Sequence, residues 1–305
     1  MEIDRTVTTV IDQELCIGCG LCIEVCPFDT ISLKDGKAFV TGDESLNCGH
    51  CEAACPAGAI RVNGVDRSLS SFATFDIKEE WLPHGRPDTG SLVNLMQSRR
   101  ACRNFKETPV HRNILEDLVK IGITAPSGSN CQQWSFTILP DRKTVADLGS
   151  KTADFFRRLN KLSEKAWLRS AMKMMGKPEL ESYYQHFYET IKEGLREWEE
   201  GGADPLFHGA PAAIVVGSQT HASCPAEDAL LATQNILLGA HSMGLGTCLI
   251  GFVVKAMERE KRIRQSIGIP DDEAAYAVIA LGHPAEKYEK VAGRRRVIMR
   301  YVEGE

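Results

Sequence analysis

The stretch CIGCGLCIEVCP, residues 16–27, carries four cysteines at the spacing C-x2-C-x2-C-x3-C and ends in a proline. Gly18 and Gly20 lie between the first three cysteines, where a residue without a Cβ atom lets the backbone turn tightly. Three thiolates two residues apart can wrap around one compact group, while the proline directs the fourth cysteine outward. The pattern predicts a loop folded around a polynuclear metal centre.

The same pattern returns further along the chain, in the stretch SLNCGHCEAACP at 45–56. It places cysteines and a proline at four equivalent positions: Cys48, Cys51, Cys55 and Pro56. The exception is Cys16, whose equivalent is Ser45. A zinc ribbon usually has two C-x2-C pairs separated by a longer gap, so a complete run followed by a three-cysteine copy favours iron–sulfur clusters.

In paired runs of this kind, the fourth cysteine of each run binds the cluster of the other run. This rule gives the first cluster, a [4Fe-4S] group, four thiolate ligands: Cys16, Cys19, Cys22 and Cys55. It gives the second cluster three thiolates: Cys26, Cys48 and Cys51. The second cluster is then [3Fe-4S], or it is [4Fe-4S] with the oxygen of Ser45, an exogenous ligand or a nearby side chain on the fourth iron. Asn47 and His50 are close in sequence, and we interpret His50 as a solvated loop residue.

Length and charge indicate two unlike units. The chain has 305 residues, of which 43% are hydrophobic, and this length suggests two domains. Its net charge is −5, with no clustered basic face of the kind that binds nucleic acid. Residues 1–66 contain eleven acidic and four basic side chains, a net charge of −7, so the remainder is close to neutral at +2.

The cysteine content bears on the compartment. The first fifteen residues lack a basic segment followed by an apolar run, and the longest apolar stretches are too short to span a bilayer. We therefore expect a cytoplasmic protein that does not enter a membrane. Seven of the eleven cysteines fall within residues 16–55, and in a reducing compartment such a concentration indicates metal binding rather than disulfides.

The sequence pattern divides the chain into an iron–sulfur domain at 1–66, a connector at 67–90 and a larger domain at 91–305. Within the larger domain, helical periodicity begins near residue 91, and APAAIVVGS and AYAVIALGHP are expected to form buried strands. Residues 151–205 are expected to contain two amphipathic helices that form a lid, a dimer arm or additional bulk. GLGTCLIGF, residues 244–252, is expected to be a glycine-rich loop.

Two segments of the larger domain suit an anionic or planar ligand. Arg99, Arg100 and Arg103 are either a solvated face or planar donors for a phosphate. The stretch TAPSGSNCQQWSFTIL, residues 124–139, begins with a tight loop whose backbone N–H groups can cradle a phosphate or lie against a ring. The chain ends in a further arginine cluster at 294–296.

Taken in order, these motifs resemble the nitroreductase superfamily of FMN enzymes, and the whole chain resembles the branch that is fused to a two-cluster ferredoxin. The motifs are SRRACRNF, APSGSNCQQW, FHGAPAAIVV, GLGTCLIGF and ALGHPAEKY, followed by the terminal arginines. The resemblance implies an α+β fold with a mixed sheet flanked by helices. It also implies an intertwined homodimer that binds FMN at the subunit interface, preceded by a small ferredoxin-like domain.

The resemblance implies twelve FMN-binding residues, while the chemistry itself belongs to the flavin. They are Arg99, Arg100, Arg103, Pro126, Ser127, Gly128, Asn130, Leu249, Ile250, Gly251, Arg294 and Arg296. Ala101 stands where the family usually has serine, and Gln133 stands where it usually has proline. The other four cysteines are expected to be buried hydrophobes: Cys102, Cys131, Cys224 and Cys248.

The combined expectation is an FMN-dependent oxidoreductase that passes electrons from iron–sulfur clusters through FMN to a small acceptor, such as a nitroaromatic, a quinone or an unsaturated metabolite. NAD(P)H or an external ferredoxin would supply the electrons. The alternative is an electron-transfer or redox-sensing protein that serves a protein partner, which the acidic N-terminal unit would suit.

Overall fold

The computed structural model describes residues 4–78, 80–202 and 204–303. The N-terminal part consists of two short antiparallel ribbons and two short helices. Its strands are β1 (Thr9–Ile11), β2 (Ile31–Lys34), β3 (Lys37–Val40) and β4 (Ile60–Val62), and its helices are α1 (Leu21–Glu24) and α2 (His50–Ala54). Strand β1 pairs with β4, and β2 pairs with β3.

The sequence repeat is also a structural repeat. Helix α2 and strand β4 start in the second copy at the positions equivalent to the starts of α1 and β2 in the first. The residues preceding the two helices, Gly20 and Gly49, both have left-handed backbone angles, with φ of 79° and 74°. Gly18 and Asn47, which are also equivalent in the two copies, are likewise left-handed. The loop conformation around the cysteines is therefore present in both copies, including the one that contains Ser45.

A short connector ties the N-terminal part to the larger domain. It contains a 3₁₀ helix at Arg67–Ser70, after which the chain runs along helix α4 (Arg112–Gly122). The backbone N–H groups of Ala73 and Thr74 and the Thr74 hydroxyl donate to the carboxylate of Asp117, at 2.6 to 3.0 Å. Because Asp117 is only 1% exposed, this contact anchors the connector to the buried side of α4.

The larger domain is built from helices around a four-stranded sheet. Its strands are β5 (Trp134–Leu139), β6 (Ala212–Gln219), β7 (Gly246–Leu249) and β8 (Glu273–Gly282). Besides α4, its helices are α3 (Thr89–Ser98), α5 (Arg142–Ser163), α6 (Ala166–Met174), α7 (Glu179–His186), α8 (Tyr188–Glu199), α9 (Pro225–Ser242), α10 (Gly251–Arg259) and α11 (Lys261–Gln265).

The strand order is β5-β6-β8-β7, and all three ladders between them are antiparallel. The parallel component of the expected mixed sheet is a single bridge between Ala101 and Thr247. This bridge places the arginine-containing segment alongside β7. The expected α+β class is confirmed, with a helical layer on each face of the sheet.

The two central strands are apolar throughout because both of their faces are covered. On β6, Val215 points into a core with α5, α10 and α11, whereas Ile214 points into a second core with α4 and α9. Val278 and Ile279 divide in the same way on β8. Successive side chains of a strand point to opposite faces of the sheet. Because both faces are covered here, consecutive positions along these strands are apolar, which explains the continuous apolar runs in the sequence.

Two local expectations were wrong. The region 151–205 contains four helices rather than two, and the first of them, α5, already begins at Arg142. The stretch 244–252 is not a glycine-rich loop, because Gly246–Leu249 forms the edge strand β7 and α10 starts at Gly251. Gly244, which follows the end of α9, has a φ of 79°, as is usual for a glycine that terminates a helix.

Candidate cofactor sites

The seven clustered cysteines line two separate cavities. The first cavity has four cysteines in its wall: Cys16, Cys19, Cys22 and Cys55. The second cavity has the other three: Cys26, Cys48 and Cys51. The structure therefore sorts the cysteines as the crossing rule predicts, with Cys26 and Cys55 each on the cavity of the other run.

The cavities fit clusters better than single ions. Among the described residues, no three His, Cys, Asp or Glu side chains converge on a point where one ion could sit. A zinc ion needs sulfur atoms about 2.3 Å away on all sides, so cysteines that surround a cavity without converging on one point suit a larger group. The donor set, which is rich in thiolates, is also the one that iron–sulfur clusters use.

Backbone N–H groups point at several of the sulfur atoms. Those of Ala38 and Ala59 donate to the Sγ atoms of Cys16 and Cys55, at 3.4 and 3.3 Å. The contacts from Ala38 and Gly18 lower the pKa of Cys16. Such N–H···S contacts stabilise the thiolate form and are one of the means by which proteins set cluster potentials.

Ser45 lies inside the second cavity with the three cysteines. It is 8% exposed and its Oγ accepts a hydrogen bond from the backbone N–H of Asn47 at 3.0 Å. Leu46 and His50 also line this cavity, and His50 is otherwise exposed on the first turn of α2. The serine thus occupies the position that the repeat would give to a fourth cysteine.

The expected arginines gather at one place in the larger domain. The segment 101–106 runs between β7 and the chain after β8, held by bonds from Cys102 N to Thr247 O and from Lys106 N to His283 O. The C-terminal segment returns to it, since the Arg100 guanidinium donates to Ala292 O at 2.7 Å. The two arginine-rich ends of the domain therefore meet in space.

Arg99, Arg100, Arg103 and Arg294, together called the arginine cluster below, concentrate positive charge. Within the described ranges, no ion pair involves Arg99, Arg100, Arg103 or Arg294. Burial, together with the charges of Arg294 and Arg100, lowers the pKa of Arg99. Arg99 and Arg100 are half-buried whereas Arg103 and Arg294 are exposed, and like charges gathered in this way favour an anionic ligand such as a phosphate. Arg296 is exposed on the terminal segment.

The end of β7 contributes backbone groups. Leu249 is half exposed and Ile250 is buried, with its N–H bonded to Val278 O at 2.8 Å. Gly251 begins α10, a helix without a side-chain N-cap, and a Cβ atom at Gly251 would meet nothing within 4 Å. The first turn of α10 therefore lacks a side-chain cap, and uncapped N–H groups at a helix N-terminus can bind an anion.

The loop at 126–132 lies away from the arginines and is held by hydrogen bonds within the loop and to α9. The N–H of Gly128 donates to Asp228 Oδ1 at 3.0 Å, and a Cβ atom on Gly128 would come within 3.0 Å of Cys224 Sγ. Ser127 Oγ accepts from Gln132 N, and Pro126 is exposed. Ser129, Asn130 and Gln132 have φ values between 50° and 53°, an uncommon conformation for residues with side chains.

Helix α9 separates this loop from the arginine cluster. Asp228 at its N-terminal end holds the loop, whereas His241 at its C-terminal end is close enough for the charge of Arg99, second to burial, to lower the pKa of that histidine. Thirteen residues of helix span about 20 Å. The structure thus places the arginines beside Thr247 and Cys248 of β7, which residues 249–251 follow, but leaves 126–130 at the other end of α9.

A family model for the nitroreductase family matches residues 96–283. The chain belongs to the nitroreductase family. A second model, for the 4Fe-4S binding domain, matches residues 9–32 and covers the complete cysteine run. Both parts of the resemblance seen in the sequence are therefore confirmed, as is the expected enzyme class, an oxidoreductase.

Relatives of this nitroreductase-family chain fall into the same two groups. It is 26% identical over 217 residues to an iodotyrosine deiodinase from Thermotoga neapolitana, covering 69% of this chain and 97% of that protein. It is 35% identical over 126 residues to a ferredoxin from Pyrobaculum islandicum, covering 41% of this chain and 96% of the ferredoxin. An FMN-bound nitroreductase from Desulfitobacterium hafniense shares 22% identity, with a TM-score of 0.49 and coverage of 69% and 97%.

Some residues of the site were missed or misjudged in the sequence. Asp228 lies in the first turn of α9, and its contact with the sequence-distant Gly128 leaves no local pattern in the sequence. Cys102 and Cys248 are buried as expected, but Cys131 is half-buried and Cys224 is exposed.

No helix among residues 4–78, 80–202 and 204–303 is both long and apolar enough to cross a membrane.

Proposed function

We propose that the protein is an FMN-dependent oxidoreductase whose iron–sulfur clusters pass electrons through FMN to a small acceptor. The observation that carries the proposal is the arginine cluster beside β7, the strand that precedes the N-terminus of α10, in the same chain as two cysteine-lined cavities. One part suits the phosphate of a flavin, and the other suits one-electron carriers.

Arg99, Arg100 and Arg294 would hold the FMN phosphate, with Arg103 and Arg296 adding positive charge nearby. Residues 249–251 would approach the ring with backbone groups, and the loop at 126–130 would lie against its face. FMN supplies the redox chemistry, since it can exchange electrons singly and in pairs. Ala101 lacks the hydroxyl donor that serine would add, so the arginines would bear more of the phosphate binding.

The site would be completed by a second copy of the chain. Because about 20 Å of α9 separates the loop at 126–130 from the arginines, each flavin would take the arginines of one copy and the loop of the other. Exposed apolar side chains favour such a homodimer: Leu92, Val93 and Met96 on α3, Leu230 and Leu231 on α9, and Val297, Ile298, Met299, Tyr301 and Val302 on the terminal segment. A monomer seldom leaves so much apolar surface uncovered.

The first cavity would hold a [4Fe-4S] cluster on Cys16, Cys19, Cys22 and Cys55. The second would hold a cluster on Cys26, Cys48 and Cys51, either [3Fe-4S] or [4Fe-4S] with another fourth ligand. Ser45 is the side chain best placed for that ligand, because it lines the cavity and is nearly buried. Such clusters suit a reducing compartment such as the cytoplasm.

The donor and the acceptor are proposed by class. Relatives from Archaeoglobus fulgidus and Methanothermobacter thermautotrophicus are named putative NADH dehydrogenase/NAD(P)H nitroreductase, which supports NAD(P)H. The acidic N-terminal part supports an external protein donor instead, because exposed Leu15, Ile17 and Leu21 lie beside the first cavity with Glu14 and Glu24 near them. A relative named 4-nitrobenzoate reductase supports a nitroaromatic acceptor.

A donor and acceptor screen on the holoprotein tests the proposal. We expect nitroaromatics or quinones to be reduced with NAD(P)H or a reduced ferredoxin as the donor. The rates should rise in proportion to the FMN content of the protein. Electron exchange with a protein partner alone, without turnover of any small acceptor, would instead identify an electron-transfer protein, for which the acidic surface around the first cavity is the supporting observation.

A further inference from the structure

The second cavity lies at the junction between the N-terminal part and the larger domain. Leu46, which lines this cavity beside Ser45, accepts a hydrogen bond through its backbone oxygen from the side-chain amide of Asn130, at 2.9 Å. Asn130 ends the 3₁₀ turn of the loop at 126–132. The wall of the second cavity therefore touches the segment proposed to lie against the flavin.

The first cavity is placed differently. Its wall includes Cys19 and Ile17, both exposed, and Ile17 is 68% exposed. Among the hydrogen bonds of residues 4–78, 80–202 and 204–303, none joins a residue lining the first cavity to the chain beyond residue 66. One cavity thus lies towards solvent and the other towards the larger domain.

The side-chain amide of Asn130 is held by two hydrogen bonds. Its Oδ1 accepts from Gln132 Nε2 at 3.0 Å while its Nδ2 donates to Leu46, so the orientation of the amide is fixed at both ends. The loop beneath it is fixed by the bond from Gly128 to the buried Asp228. On the other side, Asn47 follows Leu46 and bonds to Thr8 and Thr6. Further hydrogen bonds therefore hold both partners of the contact in place.

We propose that the cluster of the second cavity is the direct electron donor to the flavin, and that it serves the flavin whose phosphate is held by the other copy of the chain. This rests on the proposed function. Asn130 is a positioning residue, since it docks the cluster loop onto the flavin loop. The cross-subunit arrangement follows because the loop at 126–132 and the arginines of its own chain lie at opposite ends of α9.

The electron balance is simple. Each transfer would oxidise the second cluster by one electron and reduce the flavin by one, after which the first cluster would reduce the second again. Two transfers and two protons from solvent would convert FMN to its dihydro form. This path takes its electrons from a reduced one-electron donor protein at the first cavity, since a hydride from NAD(P)H would pass directly to the flavin, and it would return the clusters to their starting state.

Asn130→Asp tests the docking contact. The aspartate keeps the size of the side chain and tolerates a positive φ, but it replaces the amide donor with a carboxylate facing the Leu46 oxygen. We expect the EPR signal of the second cluster to change while that of the first stays as in the wild type. Ser129→Asp is the matched control, because it adds the same charge one residue away at an exposed position of the same conformation. Asn130→Gly, which also tolerates the backbone angle, is the second variant.

If both Asn130 variants leave the second-cluster signal as in Ser129→Asp, the docking contact is disproved. If the signals of the two clusters change equally, Asn130 acts on the whole N-terminal part and the positioning role is likewise lost. The FMN content of each variant is measured in parallel, so that loss of flavin is separated from a change at the cluster.

Mixed dimers test the cross-subunit path. One lesion, Cys48→Ser, damages the second cluster, and the other, Arg99→Glu, prevents FMN binding at the arginines. Placed on different copies, the lesions should leave one flavin beside an intact cluster. Placed together on one copy and paired with a wild-type copy, they should leave one flavin beside the damaged cluster. The readout is the EPR relaxation of the one-electron-reduced flavin, which a nearby paramagnetic cluster accelerates.

We expect fast relaxation with the lesions on different copies and slow relaxation with both on one copy. The reverse pattern would show that each cluster serves the flavin of its own arginines, and equal relaxation in the two dimers would show that the second cluster is not the neighbour of the flavin. Either result overturns the proposal. A wild-type protein without FMN or iron would overturn the proposed function itself, which is a separate and earlier observation.

Discussion

At the scale of single residues, Ser45 replaces one cysteine of the repeat in the wall of the second cavity while the local backbone is kept. The neighbouring loop keeps the left-handed angles at Asn47 and Gly49 that the first run has at Gly18 and Gly20. Because the second cavity keeps three cysteines, the serine changes only one position in the wall of that cavity. Oxygen ligation or a missing iron at that position would shift the reduction potential of the cluster that lies against the larger domain.

Ser45→Cys is expected to complete the thiolate set of the second cavity. The iron and sulfide content should rise to, or remain at, that of two four-iron clusters, and the EPR signal of the second cluster should change while the first is unaffected. Ser45→Ala is the matched control, since it removes the oxygen without adding sulfur. Identical metal content and spectra in all three proteins would mean that position 45 does not face the cluster.

Arg99→Ala is expected to weaken FMN binding roughly tenfold to a hundredfold, because a charged hydrogen bond to phosphate contributes about 1.5 to 3 kcal/mol. Flavin fluorescence during titration of the flavin-free protein measures the dissociation constant. The control is Arg112→Ala, which removes an exposed arginine paired with Glu116 on α4. Equal affinities for the two variants would place the phosphate away from Arg99.

At the scale of elements, the connector and helix α4 are joined by one buried carboxylate. Burial alone would raise the pKa of Asp117, but hydrogen bonds from Thr74 and Ala73 and the charge of Lys120 hold that pKa below its ordinary value. The carboxylate form therefore stabilises the docked connector. That stabilisation is fully present above about pH 4, the ordinary range for the unfolded chain, and is lost as the pH falls through the lower folded value.

Asp117→Asn is expected to loosen the connector by about 1 to 3 kcal/mol, because one oxygen acceptor is replaced by an amide donor that faces backbone N–H groups. Amide hydrogen exchange at Ala73 and Thr74 should accelerate, whereas exchange in β6 should stay slow. Asp154→Asn, on the exposed face of α5, is the control. Unchanged protection of Ala73 and Thr74 would show that the carboxylate does not hold the connector.

The elements themselves were largely predictable. The strands at 134–139, 212–219 and 273–282 and the helix that begins at Pro225 follow from apolar runs and end signals that local sequence carries. The edge strand β7 was missed, because four residues with a glycine-rich start have no visible alternation. Its strand character comes from pairing with β8 and from the bridge to Ala101, both of which are contacts distant in sequence.

At the scale of the whole molecule, the repeat with its cysteine set and the family could be predicted, but the distribution of the site over the fold could not. In the sequence, nothing indicates that Asn130 lies at the opposite end of α9 from Arg99 and Gly251. The inter-domain contact of Asn130 with Leu46 is also invisible in sequence, since an amide and a backbone oxygen 84 positions apart form no motif.

Leu230→Glu is expected to prevent dimer formation and to lower FMN content with it, because it places a charge on an exposed apolar face of α9. Analytical ultracentrifugation and flavin quantification measure the two effects on the same sample. Leu162→Glu on α5, another exposed leucine, is the control and should remain dimeric with full flavin. A Leu230→Glu monomer that retained FMN would contradict the shared site.

The central claim is that one chain carries both a flavin and iron–sulfur clusters. The most direct measurement is anaerobic purification of the wild-type protein followed by quantification of FMN, iron and acid-labile sulfide per chain. We predict that each chain releases one FMN on denaturation and contains iron and sulfide sufficient for two clusters. Protein that contains zinc in place of iron, or that releases no FMN, would contradict it.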